Sequence, residues 1–566
     1  MEVLESSPFA SKLNTNYIAT DAESHQIQSL LKRPTSRLEE LSTQLQQLDE
    51  HYTQIRNEQS SLLLSISKHR ALMSLVRKLP IEILQEIFIA CLPTTHNAVM
   101  SKWEPPILLT QVCSSWRIIA HATPQLWKSI HIAAPCNSPA RYATSEYPNL
   151  PSTLAHAARR SEAVLEWITR SAASPLDISL GQWGTSTPDG FYDKIIEYLI
   201  RFSERWREVR FSAPYQALVP VAELPTSRVP LLETLSLNCP PVHYTHLDRQ
   251  SVWITSGVLK APKLRDLWLR GLWLSQLNES PTRLPINWSQ LTSLSLEGNS
   301  WGASSRSLSI SRAYRILSLC QNLVTCRIEI GIMMGYNEEP LSFETTNTAL
   351  ISLPFLTKLS VREDGASLSK LFTLLHLPSL NYLEFHTTIW PAEGSNTSLL
   401  SLLTRTTIQL ITLITDAQSF TRQDFIKCLR LCPFLKSLAI RKVYTMGGPP
   451  DIPACRVDDA FLKLFIESSD DKTYLCPHLE DFESSSETAF SETTLLQFIK
   501  GKNSDNAMTG LAKLKQLFVV FYSRPLCDIS HELEQYEKAG LVATISYPIA
   551  APFSAFGGLP GYLPPY

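Results

Sequence analysis

The densest group of potential metal ligands in this chain consists of two histidines and an aspartate. His243, His246 and Asp248 lie within the segment PPVHYTHLD, and their H-x-x-H spacing could place two ligands on one face of a helix. The prolines directly before them favour a loop instead, and the segment lacks the glutamate that would act as general base in zinc-dependent hydrolysis. We therefore predict a loop here and no metal ion.

Two further patterns could carry chemistry, but neither is complete. Gly447-Gly448-Pro449-Pro450 lacks the following Lys-Ser or Lys-Thr of a phosphate-binding loop, so it predicts a turn. Cys113 stands beside Trp116 in an apolar helical pattern, where burial would raise the pKa of its thiol and lower its reactivity. No arrangement of Ser, His and an acid stands out. We predict a protein that is not an enzyme and needs no cofactor.

Composition excludes several classes of function. Lys and Arg number 51 against 53 Asp and Glu, so the balance indicates neither a nucleic-acid binder nor an acidic tail. The 11 cysteines include no C-x-x-C pair, which argues against a zinc site or a disulfide framework. A secretory signal and a membrane span are not apparent in the sequence. We expect a cytoplasmic or nuclear protein whose 566 residues form several folding units or one long repetitive unit.

A heptad pattern indicates a long helix near the start of the chain. Apolar residues recur at alternating steps of three and four: Leu38, Leu41, Leu45, Leu48, Tyr52, Ile55, Leu62 and Ile66. Pro34 and Ser36 stand where a helix would begin, so we predict a coiled-coil helix over 34–76 after a flexible N-terminus at 1–33. The helix could fold back on the chain's own core or pair with another helix, including a second copy through residues 38–66.

Residues 77–132 carry a compact helical pattern. LPIEILQEIFIACL predicts a first helix, a loop flanked by Pro93 and Pro106 follows, ILLTQVCSSWRIIA predicts a second helix, and QLWKSIHI predicts a short third element. A unit of this size buries its apolar surface incompletely, because a core of fewer than about 60 to 70 residues is marginal by itself. We expect another surface to cover the remainder.

The order of short motifs in this segment resembles an F-box. The matching residues are Leu79-Pro80, Glu82-Ile83-Leu84, Ile87-Phe88, Val112-Cys113, Trp116-Arg117 and Leu126-Trp127. As a set they make the chain similar to fungal-type F-box proteins, although the insertion between Pro93 and Pro106 is longer than the family pattern has.

The resemblance implies that the segment binds the Skp-type adaptor of a cullin-based SCF ubiquitin ligase. It implies a docking surface, or the core beneath that surface, made of Leu79, Pro80, Ile83, Leu84, Ile87, Val112, Cys113, Trp116 and Trp127. An ordinary helical cap on the repeats that follow is the alternative.

Beyond residue 160 one phrase recurs, with the form Leu-x-x-Leu-x-Leu. Its first leucine falls at 232, 264, 291, 323, 356, 380, 435, 479 and 514. TTIQLITLIT, at 406–415, reads as a degenerate copy in the longest gap, and PLDISL (175–180) and WREVRF (206–211) read as terminal copies. Leu-x-Leu places two side chains on one face of a strand, and only a stack of such turns buries that face.

We therefore predict an α/β solenoid of irregular leucine-rich repeats over 161–546. It would follow a linker at 133–160 and precede a flexible tail at 547–566.

The middle residue of each Leu-x-Leu should point outward to the concave face of the solenoid, where a partner can reach it. Trp268 is such a residue, and tryptophan and arginine are favoured at interfaces. The predicted target-binding residues are Arg265, Trp268, Arg270, Trp273 and Trp301, with partial burial under a loop as the alternative.

The sequence thus favours a substrate-recognition subunit of an SCF-type ubiquitin ligase, which holds an adaptor and a target protein. A scaffold built from the coiled coil and the repeats, without a role in ubiquitin transfer, is the second hypothesis.

Overall fold

The chain divides into two compact units, Met1–Ile87 and Phe88–Tyr566. The computed structural model describes residues 7–73, 75–134, 153–181, 190–239, 252–271, 284–298, 308–331, 349–364, 368–388, 398–405, 409–442, 455–467, 474–485, 488–504, 510–523 and 525–547. Among the helices in these ranges, none is both long and apolar enough to cross a membrane.

The first unit is dominated by one long helix. α1 spans Asp21–Leu72, a length of 52 residues, and follows a 3-10 turn at Ala10–Lys12. A second 3-10 turn, Leu75–Lys78, leads into α2, Ile81–Ala90, inside which the first unit ends. At ~1.5 Å per residue α1 extends roughly 78 Å. So long a helix exposes most of its surface unless other chains cover it.

α1 begins earlier than the sequence analysis placed it. Thr20 caps the helix: its N–H donates to Glu23 Oε2 at 2.9 Å, and the Glu23 N–H donates to Thr20 Oγ1 at 3.5 Å. This is a capping box, which the letters TDAE spell out in the sequence. Pro34 therefore lies inside the helix, where several turns on either side maintain it despite one lost main-chain hydrogen bond. The predicted boundary near Pro34 and the predicted end at residue 76 are wrong.

The second unit begins with two short helices. α3 spans Ile107–Val112 and α4 spans Ser114–His121, and a 3-10 turn follows at Pro124–Trp127. The sequence analysis predicted one continuous helix here. It is broken at Cys113, whose backbone is extended, with φ −160° and ψ 171°.

The rest of the second unit is built on a 14-stranded parallel sheet whose strands lie in chain order. Its strands are β1 (Ser129–Ala133), β2 (Leu176–Gly181), β3 (Trp206–Ser212), β4 (Thr234–Asn238), β5 (Asp266–Arg270), β6 (Ser293–Glu297), β7 (Thr325–Gly331), β9 (Lys358–Asp364), β11 (Tyr382–Thr387), β12 (Thr412–Thr415), β13 (Ser437–Ile440), β15 (Asp481–Ser484), β17 (Gln516–Val520) and β18 (Val542–Ser546).

Two short parallel pairs stand beside this sheet. They are β8 (Ile351–Ser352) with β10 (Leu375–His376), and β14 (Val457–Asp458) with β16 (Thr488–Ala489).

Helices connect the strands, and successive helices contact one another. They are α5 (Thr153–Arg170), α6 (Phe191–Ile200), α7 (Tyr215–Ala222), α8 (Ile310–Leu319), α9 (Ser369–Thr373), α10 (Ser398–Arg405), α11 (Arg422–Arg430), α12 (Asp459–Lys463), α13 (Glu492–Asn503) and α14 (Ser530–Lys538). A strand followed by a helix or turn is therefore the repeating unit.

Rows of buried side chains run across the sheet from strand to strand. Parallel register places Leu235, Leu267 and Leu294 side by side, and two residues further along the strands it places Leu237, Leu269 and Leu296 side by side. All six are at most 3% exposed. The first leucine of each phrase is equally buried, at 232, 264, 291, 323, 356, 380, 435, 479 and 514. The period-two burial that the repeat predicts is clear in β5, β6 and β17, whereas in β4 and β13 the residue between the two row positions is buried as well.

Phenylalanines extend this core in the C-terminal half of the sheet. Their rings contact in series, with neighbouring centroids 5.4 to 6.3 Å apart. The series contains Phe372, Phe385, Phe420, Phe425, Phe461, Phe465, Phe482 and Phe498, all fully buried. Each repeat therefore contributes aromatic surface that only its neighbours cover.

The prediction of an α/β repeat architecture is confirmed in this form, as a long parallel sheet with helices. The degenerate copy at 406–415 supplies β12, and the terminal copies PLDISL and WREVRF supply β2 and β3.

Two predicted segments have wrong boundaries, and a third cannot be compared. The sheet starts at Ser129 rather than at residue 161, so segment 77–132 ends in a strand and is not all helical. The predicted linker at 133–160 includes the start of α5 at Thr153. Apart from Tyr547, the predicted tail at 547–566 lies outside the described residues.

The degenerate repeat offers a direct test of the buried rows. Leu413 in β12 is fully buried, whereas its neighbour Thr412 is half-buried. We expect Leu413→Ala to lower the free energy of unfolding by about 3 kcal/mol, because the cavity cannot close within a stacked sheet. Thr412→Ala should lower it by less than about 1 kcal/mol. Urea unfolding followed by circular dichroism measures both, and equal losses would contradict a buried row at this repeat.

Candidate partner-binding surfaces

Helix α2 carries apolar side chains on more than one side. Leu84 is 6% exposed and Phe88 is fully buried, so these two form its packed side. Ile81, Ile83 and Ile87 are 56%, 47% and 41% exposed. A helix that is apolar on opposite sides is stable in water only when both sides are covered. The exposed isoleucines therefore make α2 a candidate surface for a partner.

The second unit presents further apolar groups on α3 and α4. Val112 is 56% exposed and Ile118 is 69% exposed. Cys113, which the sequence analysis placed in a helix with a buried thiol, is exposed and caps α4: its Sγ accepts the Trp116 N–H at 3.5 Å. Trp116 is half-buried against Phe88, with ring centroids 4.7 Å apart. Of the predicted docking residues in this unit, Val112 and Cys113 are exposed and Trp116 is partly accessible.

Trp127 belongs to the core and not to a docking surface. It is fully buried, its Nε1–H donates to the Ala120 carbonyl at 2.8 Å, and its ring packs edge-on against Trp167 with centroids 4.8 Å apart. The Arg170 guanidinium lies 4.7 Å from the ring centroid in a cation–π contact. Trp127 was predicted to belong to the docking surface or to the core that supports it. Its contacts with Trp167 and Arg170 connect the start of the sheet to α5.

In the first unit, the other predicted docking residues differ in access. Leu79 is half-buried and Pro80 is exposed, whereas Leu84 is buried. A partner could therefore contact four of them directly: Leu79, Pro80, Ile83 and Ile87.

The inserted segment between Pro93 and Pro106 covers the first edge of the sheet. Val99 forms an isolated parallel bridge with His131 of β1, and the His131 N–H donates to the Ala98 carbonyl at 2.7 Å. Asn97 accepts from Ser129 Oγ at 3.0 Å and donates to Ser179 Oγ at 3.1 Å. Since an open strand edge invites unwanted pairing, the insertion protects β1. No motif in the sequence indicated this role.

The open face of the sheet is the face opposite the buried rows. It is formed by residues that alternate with those rows, and Trp268, Arg270, Glu297, Arg327, Glu384 and His386 belong to it. Trp268 is 41% exposed and lies in register between Ser236 and Ser295. The predicted target-binding residue Arg265 is exposed beside the start of β5, and Trp273 and Trp301 lie outside the described residues.

A ladder of charged groups crosses the open face next to Trp268. Glu297 lies 3.8 Å from Arg270 and 3.9 Å from Arg327, and Arg327 lies 2.9 Å from Glu384 on a more distant strand. His386 lies 3.3 Å from Glu384. The hydrogen bond from His386, the charge of Arg327 and a hydrogen bond from Ser360 lower the pKa of Glu384 to about 2. No sequence pattern predicts this ladder, because its members come from phrases far apart in the chain.

Two glutamates at the ends of strands are buried. Glu363 is 2% exposed and accepts the Leu368 N–H and the Ser398 hydroxyl, each at 2.7 Å. Glu329 is 4% exposed and accepts the Gly298 N–H at 2.9 Å. Burial raises the pKa of both carboxyl groups. Each binds main-chain groups of a connecting segment, so their role is to hold the connections between repeats.

Within the described ranges, no group of three His, Cys, Asp or Glu side chains could hold a metal ion. His243, His246, Asp248 and the Gly447–Pro450 turn lie outside those ranges. Several cysteines are buried, and burial raises the pKa of Cys320 and Cys432 to about 12, which leaves these thiols unreactive at neutral pH.

Comparisons with known proteins identify no family for the chain. No protein-family model and no curated protein matches it. One of the solved chains that are similar to it belongs to the crystal structure of the Rad7 and Elc1 complex in yeast. The likeness covers 60% of this chain and 84% of that chain, at 14% sequence identity and a TM-score of 0.30. A likeness at this level carries no information about binding.

The charge ladder predicts a pH dependence of stability. Because the folded pKa of Glu384 lies below its ordinary value of 4.5, its stabilising effect is complete above about pH 4.5 and disappears as pH falls toward 2. We expect Glu384→Gln to lower the melting temperature at pH 7, and the difference from wild type to shrink between pH 4.5 and 2. Thermal melts across this range measure it. Glu534→Gln, at an exposed i,i+4 pair with Lys538, is the control and should change little. A pH-independent difference for Glu384→Gln would contradict the assignment.

Proposed function

We propose that this chain is a substrate-recognition subunit of an SCF-type ubiquitin ligase. Residues 79–130 would bind a Skp-type adaptor, which joins the chain to a cullin, and the repeat sheet would bind a target protein. Such a receptor forms and breaks no bonds. It raises the local concentration of a target lysine near ubiquitin carried by another subunit.

The observation that carries the proposal is the exposure of Ile83 and Ile87 on a helix that packs through Leu84 and Phe88. The segment also has the ordered motifs of an F-box, from Leu79-Pro80 to Leu126-Trp127. Burying one isoleucine side chain contributes about 1.5 to 3 kcal/mol. Isoleucines left in water at the motif positions expected to meet an adaptor are therefore a substantial source of binding energy.

The open face of the repeat sheet is the proposed site for the target protein. Trp268 is a large, partly exposed side chain there. Arg270 lies two residues further along the same strand, and Arg265 directly precedes that strand. Tryptophan and arginine commonly contribute most of the binding energy at protein interfaces. Phe518 is a second large apolar group on this face, at 40% exposure, and the charged groups around Trp268 suit specificity more than affinity.

A scaffold without a role in ubiquitin transfer is the second candidate, favoured by the exposed heptad positions of α1. Its apolar seam, including Leu38, Leu45 and Leu48 at 63–64% exposure, can pair with another helix whether or not an adaptor binds. The two candidates predict different copurification results. The ligase subunit would copurify with an adaptor and a cullin, whereas the scaffold would not.

We expect Ile83→Lys with Ile87→Lys to abolish adaptor binding. Replacing two isoleucines that the adaptor would cover with charged side chains should weaken binding more than about hundredfold. The measurement is retention of a recombinant Skp-type adaptor and cullin by the full-length chain. Both positions are exposed, so the fold should be preserved, which circular dichroism verifies.

The matched control is Leu526→Lys, which replaces an exposed apolar residue far along the chain, at 89% exposure. It should retain the adaptor at the wild-type level. If the wild-type chain retains no adaptor, or the double variant retains as much as wild type, the docking proposal is wrong. The scaffold candidate would then be favoured.

A further inference from the structure

The apolar seam of α1 lies open to solvent along its length. Leu38, Leu41 and Leu45 are 64%, 42% and 64% exposed, and Ile55 and Ile66 are 52% and 47% exposed. These side chains are therefore available to a second helix. A continuous apolar seam on a helix of this length is stabilised when a second helix covers it.

We propose that α1 pairs with α1 of a second copy of this chain, in antiparallel orientation, with the centre of the pair between Thr53 and Gln54. This inference is independent of adaptor binding. It specifies the partner, the direction and the register of the heptad helix.

The core of such a pair follows from the heptad positions. With Leu38 at position a and Leu41 at position d, antiparallel pairing sets each a residue opposite a d residue of the second copy. In the proposed register Leu41 faces Ile66, Leu45 faces Leu62, and Tyr52 faces Ile55 of the second copy. The polar Gln59 faces Leu48, so the pair does not bring two glutamines together in its core.

Charges beside the seam select the direction. In an antiparallel pair, e positions meet e positions and g positions meet g positions of the second copy. Asp49 then meets Arg56, and His51 meets Glu58, and symmetry repeats both contacts. A parallel pair would instead place Asp49 near Gln44 and Arg56 near His51, so it gains no pair of opposite charges. Opposite charges at these positions determine orientation and partner.

The same charges select the register. A shift of one heptad in either direction brings Asp49 against Asp49 of the second copy, or Arg56 against Arg56. Like charges this close oppose pairing. A shift of two heptads toward the N-terminus places Pro34 within the paired region, where its ring disturbs the helical backbone. The opposite shift leaves Leu38 and Leu45 unpaired, because their partners would lie beyond the end of α1 at Leu72.

The orientation has a consequence for the assembly. Leu72, the last residue of α1, lies about 18 residues beyond the centre, so at ~1.5 Å per residue the two helix ends stand roughly 55 Å apart. A parallel pair would bring them side by side. The antiparallel pair places them at opposite ends of the paired helices.

Charge reversal of full-length chains tests the proposal. We expect Arg56→Asp to raise the dimer dissociation constant about tenfold, because two carboxylates then face each other at both symmetric contacts with Asp49. Asp49→Arg should do the same, and the double variant Asp49→Arg with Arg56→Asp should restore the dimer to near wild type. Glu50→Arg makes the same change of charge as Asp49→Arg, but on the outer side of the helix, and should leave the dissociation constant unchanged. Sedimentation measures the dissociation constant of each variant.

Mixing the two single variants gives a second, independent readout. Asp49→Arg and Arg56→Asp chains carry complementary charges at both contacts, so differently tagged copies should prefer each other over themselves. In a parallel pair the residue introduced by Arg56→Asp would face His51 and would not weaken association. A monomeric wild-type chain, an Arg56→Asp variant no weaker than Glu50→Arg, or a mixture without preference would each overturn the antiparallel register.

Discussion

The second unit depends on a single constraint, which is that no repeat can bury its own apolar residues. Each strand places two side chains of the Leu-x-Leu phrase on one face, as Leu267 and Leu269 do in β5, and these are covered by the strands and connections on either side. The stability of such a stack is approximately the sum of the stabilities of its repeats and of the interfaces between neighbouring repeats. Connections between repeats can therefore vary in length, whereas the buried rows cannot vary in spacing. The buried Glu329 and Glu363 hold individual connections without altering those rows.

The ends of a stack need a different solution, because an end repeat lacks one neighbour. At the start of the sheet the solution is the segment from Asn97 to Val99, which bonds to β1, together with Trp127 packed between Ala120 and Trp167. Part of the proposed docking module therefore also serves as the cap of the sheet. Docking and capping are compatible because they use different residues: Trp127 is buried, whereas Val112 and Ile118 remain exposed.

Much of this architecture can be predicted from the sequence, because burial with a period of two leaves a clear pattern. The nine phrase leucines and even the degenerate copy around Leu413 were found in this way. The break at Cys113 was not, because the apolar spacing continues through it and only the backbone shows the extended residue. The start of α1 was missed for the opposite reason: Pro34 suggested a boundary more strongly than the capping box at Thr20.

The candidate surfaces were less predictable than the core, since a sequence does not state which side of an apolar helix will be covered. Leu84 and Ile83 are adjacent in the same motif, yet one is buried and the other is exposed. The charge ladder was hidden because its members come from strands joined by connections of unequal length, and only the parallel register brings them together.

The distribution of exposed groups separates two kinds of recognition. Apolar side chains left in water concentrate on α1 and α2, as Leu48 and Ile83 illustrate, whereas the open face of the sheet presents charges that already have partners, with Trp268 and Phe518 as large apolar exceptions. Apolar surfaces supply affinity with little regard to orientation, and charges supply specificity because a wrong partner leaves them unpaired. The proposed receptor, which would hold one adaptor and choose among targets, would use this division. The residues that associate permanently can then be fixed, while those of the open face vary without loss of the core, because the alternating rows of each strand are independent.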